Sequence, residues 1–162
     1  MLKIRKIISG GQTGADRAAF DFALEKGIEI SGFVPKNRMA EDGEISQKFP
    51  NLLETRAKNP AKRTELNVKY SDATIILSHG NLTGGSKKTL QLAEKWNKPF
   101  LHIDFDKTSL EEAVLKVRNW LESINCQELN IAGARASKDS KIYGKTKEFL
   151  EKLFENEKGK VR

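Results

Sequence analysis

Apolar residues gather in five short runs, at residues 4–9, 30–34, 73–78, 100–104 and 129–132, each rich in Ile, Leu, Val or Phe. Runs of this length fit strands buried on both faces. Between them the apolar positions take helical spacing. Ala15, Ala18, Ala19, Phe22 and Ala23 recur every three or four residues, and Gly27 supplies a stop. Leu110, Ala113, Val114, Val117, Leu121 and Ile124 do the same after Thr108-Ser109-Leu110-Glu111, a start resembling a capping box. Thr89, Leu92, Ala93 and Trp96 outline a third face, and Tyr143, Thr146, Phe149, Leu150, Leu153 and Phe154 a fourth. Strand and helix therefore alternate, which predicts an α/β three-layer sandwich: a mostly parallel five-stranded sheet with helices on both faces.

Residues 35–62 break the pattern. They hold Pro35, Pro50 and Pro60, mixed charges and little periodicity, and read as a long loop, with or without a short helix around residues 52–57. A connection of that length inside a compact domain tends to be a lid or binding loop when it is not disordered.

The length of 162 residues fits one domain over residues 1–162, large enough to bury a core without disulfides or metal. Cys126 has no second cysteine to pair with and reads as a spare thiol in a reducing compartment. Lys3, Arg5 and Lys6 interrupt the N-terminal run, so no signal peptide or membrane segment is expected there; the expected location is cytoplasmic, without a membrane partner. Lys and Arg number 29 against 22 Asp and Glu, a net charge of +7, which favours anionic partners. Nucleic acid would need a clustered basic face with interleaved aromatics. The lysines are instead spread over helix surfaces and a tail of Lys152, Lys158, Lys160 and Arg162, so a small phosphorylated ligand is the favoured partner and nucleic acid the weaker alternative. A homo-oligomer is compatible with all of this.

The candidate chemistry lies in the loops that follow strands. In Ser9-Gly10-Gly11-Gln12-Thr13-Gly14-Ala15-Asp16-Arg17 an apolar run ends in a glycine-rich turn and a helix begins at once. Glycines let a backbone approach a ligand closely, and a helix N-terminus offers N–H donors and partial positive charge to an anion. Taken alone, such a loop is equally a tight turn with nothing bound. The device returns as Ser78-His79-Gly80-Asn81-Leu82-Thr83-Gly84-Gly85-Ser86-Lys87-Lys88-Thr89, and more faintly as Gly133-Ala134-Arg135-Ala136-Ser137. In a doubly wound, Rossmann-like sheet the loops at the carboxyl edge converge on one crevice, so one shared phosphate site is expected. His79 reads either as an acid or base or as a hydrogen-bonding surface residue. Arg38 and Arg63 are candidates for phosphate, and Asp42 and Asn67 for the edge of a heterocycle; each is also compatible with surface ion pairing.

Taken together, Gly10-Gly11-Gln12-Thr13-Gly14-Ala15-Asp16, Val34-Pro35-Lys36-Asn37-Arg38-Met39-Ala40-Glu41-Asp42-Gly43, Arg63-Thr64-Glu65-Leu66-Asn67-Val68, Ser71-Asp72-Ala73-Thr74, Leu82-Thr83-Gly84-Gly85-Ser86 and the stretch from Leu129 through Gly133-Ala134-Arg135-Ala136-Ser137 resemble the family called putative molybdenum carrier proteins, over nearly the whole chain. The resemblance implies a circular permutation relative to the phosphoribohydrolases of the same Rossmann-like superfamily, and hence a sheet order of second, first, fifth, third, fourth run. It implies a carrier of the molybdenum cofactor (molybdopterin), a pterin bearing a dithiolene-held metal and a phosphate, with glycine-loop amides and Arg38, Arg63 or Arg135 on the phosphate and Asp42 or Asn67 on the pterin. Alternatives are a nucleotide-binding sensor and a hydrolase of nucleoside monophosphates. Against the hydrolase, the second glycine loop lacks the relatives' glutamate: Gln91 or Leu92 falls where it would stand, and neither is a general base, although Glu41, Asp42 or Glu54 of the long loop could take its place. No catalytic residue and no metal ligand is assigned.

Overall fold

The computed structural model describes residues 1–159; Lys160 and Arg162 of the basic tail lie outside the described residues. In chain order the elements are β1 (Lys6–Ile8), α1 (Ala15–Lys26), β2 (Glu29–Val34), a 3-10 turn (Lys36–Arg38), β3 (Met39–Ala40), β4 (Gly43–Glu44), β5 (Leu52–Glu54), α2 (Pro60–Lys69), β6 (Ala73–Ser78), α3 (Gly84–Lys95), β7 (Phe100–Asp104), α4 (Leu110–Ser123), β8 (Glu128–Gly133) and α5 (Ile142–Gly159). The main sheet is parallel and ordered β5-β2-β1-β8-β6-β7, with β3 and β4 forming a separate antiparallel hairpin. The expected order of the five apolar runs holds, with β8, the last strand in sequence, at the centre. The fold is the Rossmann-like α/β sandwich, and the sheet has six strands rather than five.

The sixth strand, β5, lies in the segment expected to be a loop or short helix. Its three residues pair with Gly32, Phe33 and Val34. As an edge strand it buries little, with Leu53 58% exposed, so it leaves no apolar run to detect.

Helix ends follow local chemistry. Gly27 caps α1 in the left-handed conformation, its N–H reaching the Ala23 and Leu24 carbonyls. Ser109 caps α4 and accepts from the Glu112 amide, one residue later than the box expected at Thr108. The Asn59 side chain caps α2 with Pro60 at its first position. On one face of the sheet, Ile7, Ile75, Leu77, Leu129 and Ile131 join Ala19, Phe22, Val117, Phe149 and Leu153 of α1, α4 and α5 in the main core. On the other, Val68 of α2 and Leu92 and Ala93 of α3 form a smaller cluster. No helix of the described residues is long and apolar enough to cross a membrane.

Residues 35–54 are a packed excursion. Ile45 and Phe49 enter the main core, with the Phe49 and Phe20 ring centroids 5.2 Å apart. Arg38 pins the excursion from inside: its Nε donates to the Ile45 carbonyl at 3.0 Å, and its Nη2 to those of Ser46 at 2.6 Å and Phe49 at 3.4 Å. Arg38, expected on ligand phosphate, is thus buried away from the crevice, because three carbonyls turned inward by the excursion need a donor. Arg38→Ala strips them of it and is expected to destabilise by about 3 kcal/mol, lowering the melting temperature by roughly 6–12 °C. A thermal melt matching the parent would show that the pin carries no weight.

Candidate functional site

A cleft of about 230 Å³ opens where the loops after β1, β8 and β6 meet. Of the residues expected at the site, Gly10, Gln12, Asp16, Arg63, Asn67, Thr83, Gly84, Gly85, Ser86, Thr89, Gly133 and Arg135 line it. Thr64, Asn130, Ile131, Ala132, Ala134 and Lys138 line it as well and were not expected. A signal for Asn130 was present: it is an amide inside an apolar run, between Leu129 and Ile131.

The three glycine loops do different work. In the first, most donors are used internally: the Gly11 amide donates to Ser9 Oγ, Gln12 to Asp16 Oδ2, Thr13 to Gln12 Oε1 and Ala15 to the Ala134 carbonyl. Gly14 has φ 83°, and a Cβ there would stand 2.3 Å from the Ala134 oxygen. A Cβ on Gly133 would stand 2.3 Å from the Leu77 oxygen. These glycines let three backbones close on one another at the carboxyl edge of the sheet.

The second loop is open. Thr83 precedes α3 in extended conformation without capping it through its side chain, and a Cβ on Gly84 or Gly85 would meet nothing within 4 Å. Uncapped N–H groups at a helix start are chemically suited to an anion. Arg63, on α2, lines the same cleft. It is 7% exposed; Nη1 donates to the Gly10 carbonyl at 2.7 Å and Nε contacts Thr64 Oγ1 at 3.4 Å, while Nη2 has no hydrogen-bond partner among the described residues. Burial lowers the Arg63 pKa, and the nearby Asp16 carboxylate opposes that shift.

Asp16, in the first turn of α1, is pushed up to about 6 by burial, against the pull of Arg63, the Gln12 amide, Arg17 and Arg135. Asn130 is 3% exposed. Its Nδ2 donates to Thr74 Oγ1 at 3.2 Å, and its Oδ1 has no partner among the described residues.

Other expected site residues are engaged elsewhere. Asn67 borders the cleft, but its amide brackets the Phe33 backbone, accepting from N at 2.7 Å and donating to O at 2.9 Å. Asp42 forms a two-pronged pair with Arg17 at 2.9 and 3.1 Å, which holds its carboxyl below the usual range. Ser78 Oγ donates to the Gly80 carbonyl and meets His102 Nε2, His79 meets Asp139 at 2.7 Å, and the Gly80 amide donates to Asp104. These bonds shape the approach to α3. Thr13 and Ser137 hold the carboxylate of Glu41, and Gly11 and Gly14 are buried and do not line the cleft.

Residues 7–154 match the Circularly permutated YpsA SLOG family. The chain belongs to that family. A putative molybdenum carrier protein from Syntrophus aciditrophicus SB, solved by crystallography, is 50% identical and superposes with a TM-score of 0.92, over 94% of this chain and 96% of that one. No curated protein matches. In this member of the circularly permutated family the placement of β8 between β1 and β6 brings the Gly133–Arg135 loop beside the other two. Among the described residues no group of three or more His, Cys, Asp or Glu is placed to hold a metal ion. Cys126 precedes β8, at the sheet edge opposite the cleft, and burial first, then Asp72 and Glu128, push its thiol up to about 12.

Proposed function

We propose that the cleft holds the phosphate of a small phosphorylated ligand, and that the ligand is the molybdenum cofactor or a phosphorylated pterin like it, carried rather than converted. The observation that carries this reading is the pairing of an uncapped α3 start at Gly84 and Gly85 with the buried guanidinium of Arg63 on one cleft. The donors that these groups keep free open on the cleft, where an anion can accept from them. The amide of Asn130 on the floor offers a polar contact to a heterocycle. The 50% identical relative is called a putative molybdenum carrier protein; that the molybdenum travels as a phosphorylated pterin comes from the family resemblance of the sequence. The side chains that line the cleft would hold the phosphate and the ring of such a ligand; among the described residues no group of three or more His, Cys, Asp or Glu is placed to hold its metal. Of the two positions where the resemblance would set the hydrolases' glutamate, Gln91 is exposed and Leu92 is buried in the smaller core cluster, and neither lines the cleft.

The test is mass spectrometry of small molecules released from the protein purified from its native host, with oxidised pterins and nucleotides both sought. An oxidised pterin phosphate at near-stoichiometric yield is the expected result. A nucleotide in its place would keep the phosphate site and overturn the cargo; neither compound, together with no phosphate binding by calorimetry, would overturn the reading.

A further inference from the structure

The tip of the β3–β4 hairpin presents two carboxylates, Glu41 and Asp42, and Glu41 sits among donors. Its carboxylate accepts from the Thr13 hydroxyl, from the Ser137 amide at 3.0 Å and from the Ser137 hydroxyl at 2.7 Å, with Arg135 Nη1 at 3.9 Å. Those donors come from the loops after β1 and β8, which also wall the cleft. Hydrogen bonds from Thr13 and Ser137 hold the Glu41 carboxyl below its ordinary range, so it occupies the cluster as an anion. Gln12, a cleft residue, is part of the same contact, because its Oε1 accepts the Glu41 amide at 2.9 Å.

An amide, two hydroxyls and a guanidinium converging on one carboxylate match what a phosphoryl group requires. Arg135 lines the same cleft as Gly84 and Gly85 and pairs with Glu41 at 3.9 Å, so it belongs to both the cleft and this cluster. The cleft of about 230 Å³ is also below the roughly 300–1,000 Å³ typical of sites that enclose a small-molecule ligand.

We propose that Thr13, Ser137 and Arg135 form a second anion subsite, filled by Glu41 when no ligand is bound, so that the cleft accepts a ligand carrying two adjacent anionic groups, such as a diphosphate ester. The second phosphoryl group takes over the donors, Glu41 leaves, and the hairpin tip swings out, still tethered through Asp42 to Arg17. This rests on the phosphate reading of the cleft.

Inorganic phosphate and inorganic pyrophosphate separate the two ideas in calorimetric titrations of the wild type, Glu41→Ala and Glu41→Gln. Removing the resident carboxylate is expected to tighten pyrophosphate binding about tenfold and to change phosphate binding by less than about twofold. Ser137→Ala in the Glu41→Ala background should reverse most of the gain. In the wild type, hydrogen exchange of the amides at residues 39–44 should speed up with pyrophosphate and not with phosphate. If both anions bind and Glu41→Ala and Glu41→Gln leave pyrophosphate unchanged, or the hairpin exchanges no faster, the second subsite is wrong and the cleft reading stands. If neither anion binds any of the proteins, both fall together.

Discussion

Gly14→Ala is expected to destabilise the protein by more than about 3 kcal/mol, and Gly85→Ala to leave stability unchanged or raise it by about 0.5–1 kcal/mol. Gly14 combines φ 83° with ψ −130°, a region essentially confined to glycine, where another residue costs roughly 1–3 kcal/mol. The added methyl would also stand 2.3 Å from the Ala134 carbonyl oxygen and 2.9 Å from the Ala136 nitrogen. Both atoms are backbone, so no rotamer change relieves the clash. The loops after β1 and β8 must separate, and the Ala15 N–H loses its bond to Ala134. The melting temperature should fall by at least roughly 6–12 °C. Gly85 lies in the first turn of α3 with open space where its Cβ would be, so alanine there costs nothing in packing and gains helix propensity. Gly85 lines the cleft, so the same methyl should weaken phosphate binding. A Gly14→Ala protein that melts like the parent would refute the division of the glycine loops into packing and binding devices.

In the sequence those loops look alike, which marks the limit of motif reading. Five of the six strands of the main sheet were legible because each lies in an apolar run of the sequence, and α1, α3, α4 and α5 because each buries an apolar stripe. The strand order came from the family resemblance, since periodicity does not say which strand neighbours which. Helix α2 escaped because its inward residues are Arg63, Asn67 and Val68. Two of the three are polar: Arg63 faces the cleft and Asn67 the Phe33 backbone. Local patterning fails most readily where a site is built. Arg38 and Arg63 were indistinguishable candidates for phosphate, yet one is consumed by carbonyls of its own loop and the other keeps part of its guanidinium for the cleft. That difference depends on which backbone groups turn inward, a property of the assembled fold. The partners of Glu41 gave no signal, because its donors lie 28 and 96 residues away in the chain.

Asp16 leads to the remaining prediction. In an unfolded chain its carboxyl titrates near 3.8, and in the fold burial lifts it to about 6. The folded state therefore holds this proton more tightly than the unfolded state. The corresponding stability is fully present below about pH 4 and is lost as pH rises through about 6, where Asp16 must ionise inside the cleft wall. A shift of about two units corresponds to about 3 kcal/mol. Glu41, Asp42, Glu65 and Asp104 are shifted the other way and lose stability as pH falls, so the whole-protein profile mixes opposing slopes. Asp16→Asn isolates the one group, because its amide oxygen can still accept from the Gln12 N–H. The variant should match the wild type near pH 4 and exceed it by up to about 3 kcal/mol above pH 7, read as a melting difference that grows through the interval. Ligand binding should carry the same signature. A divalent anion beside Arg63 is repelled by ionised Asp16 and accepted by the protonated acid. Sulfate, whose own charge is constant over the range, should therefore bind wild type about tenfold more tightly at pH 5 than at pH 8, and Asp16→Asn equally at both. A stability difference that does not change with pH would mean that Asp16 is solvated and that the cleft places no acid next to its arginines.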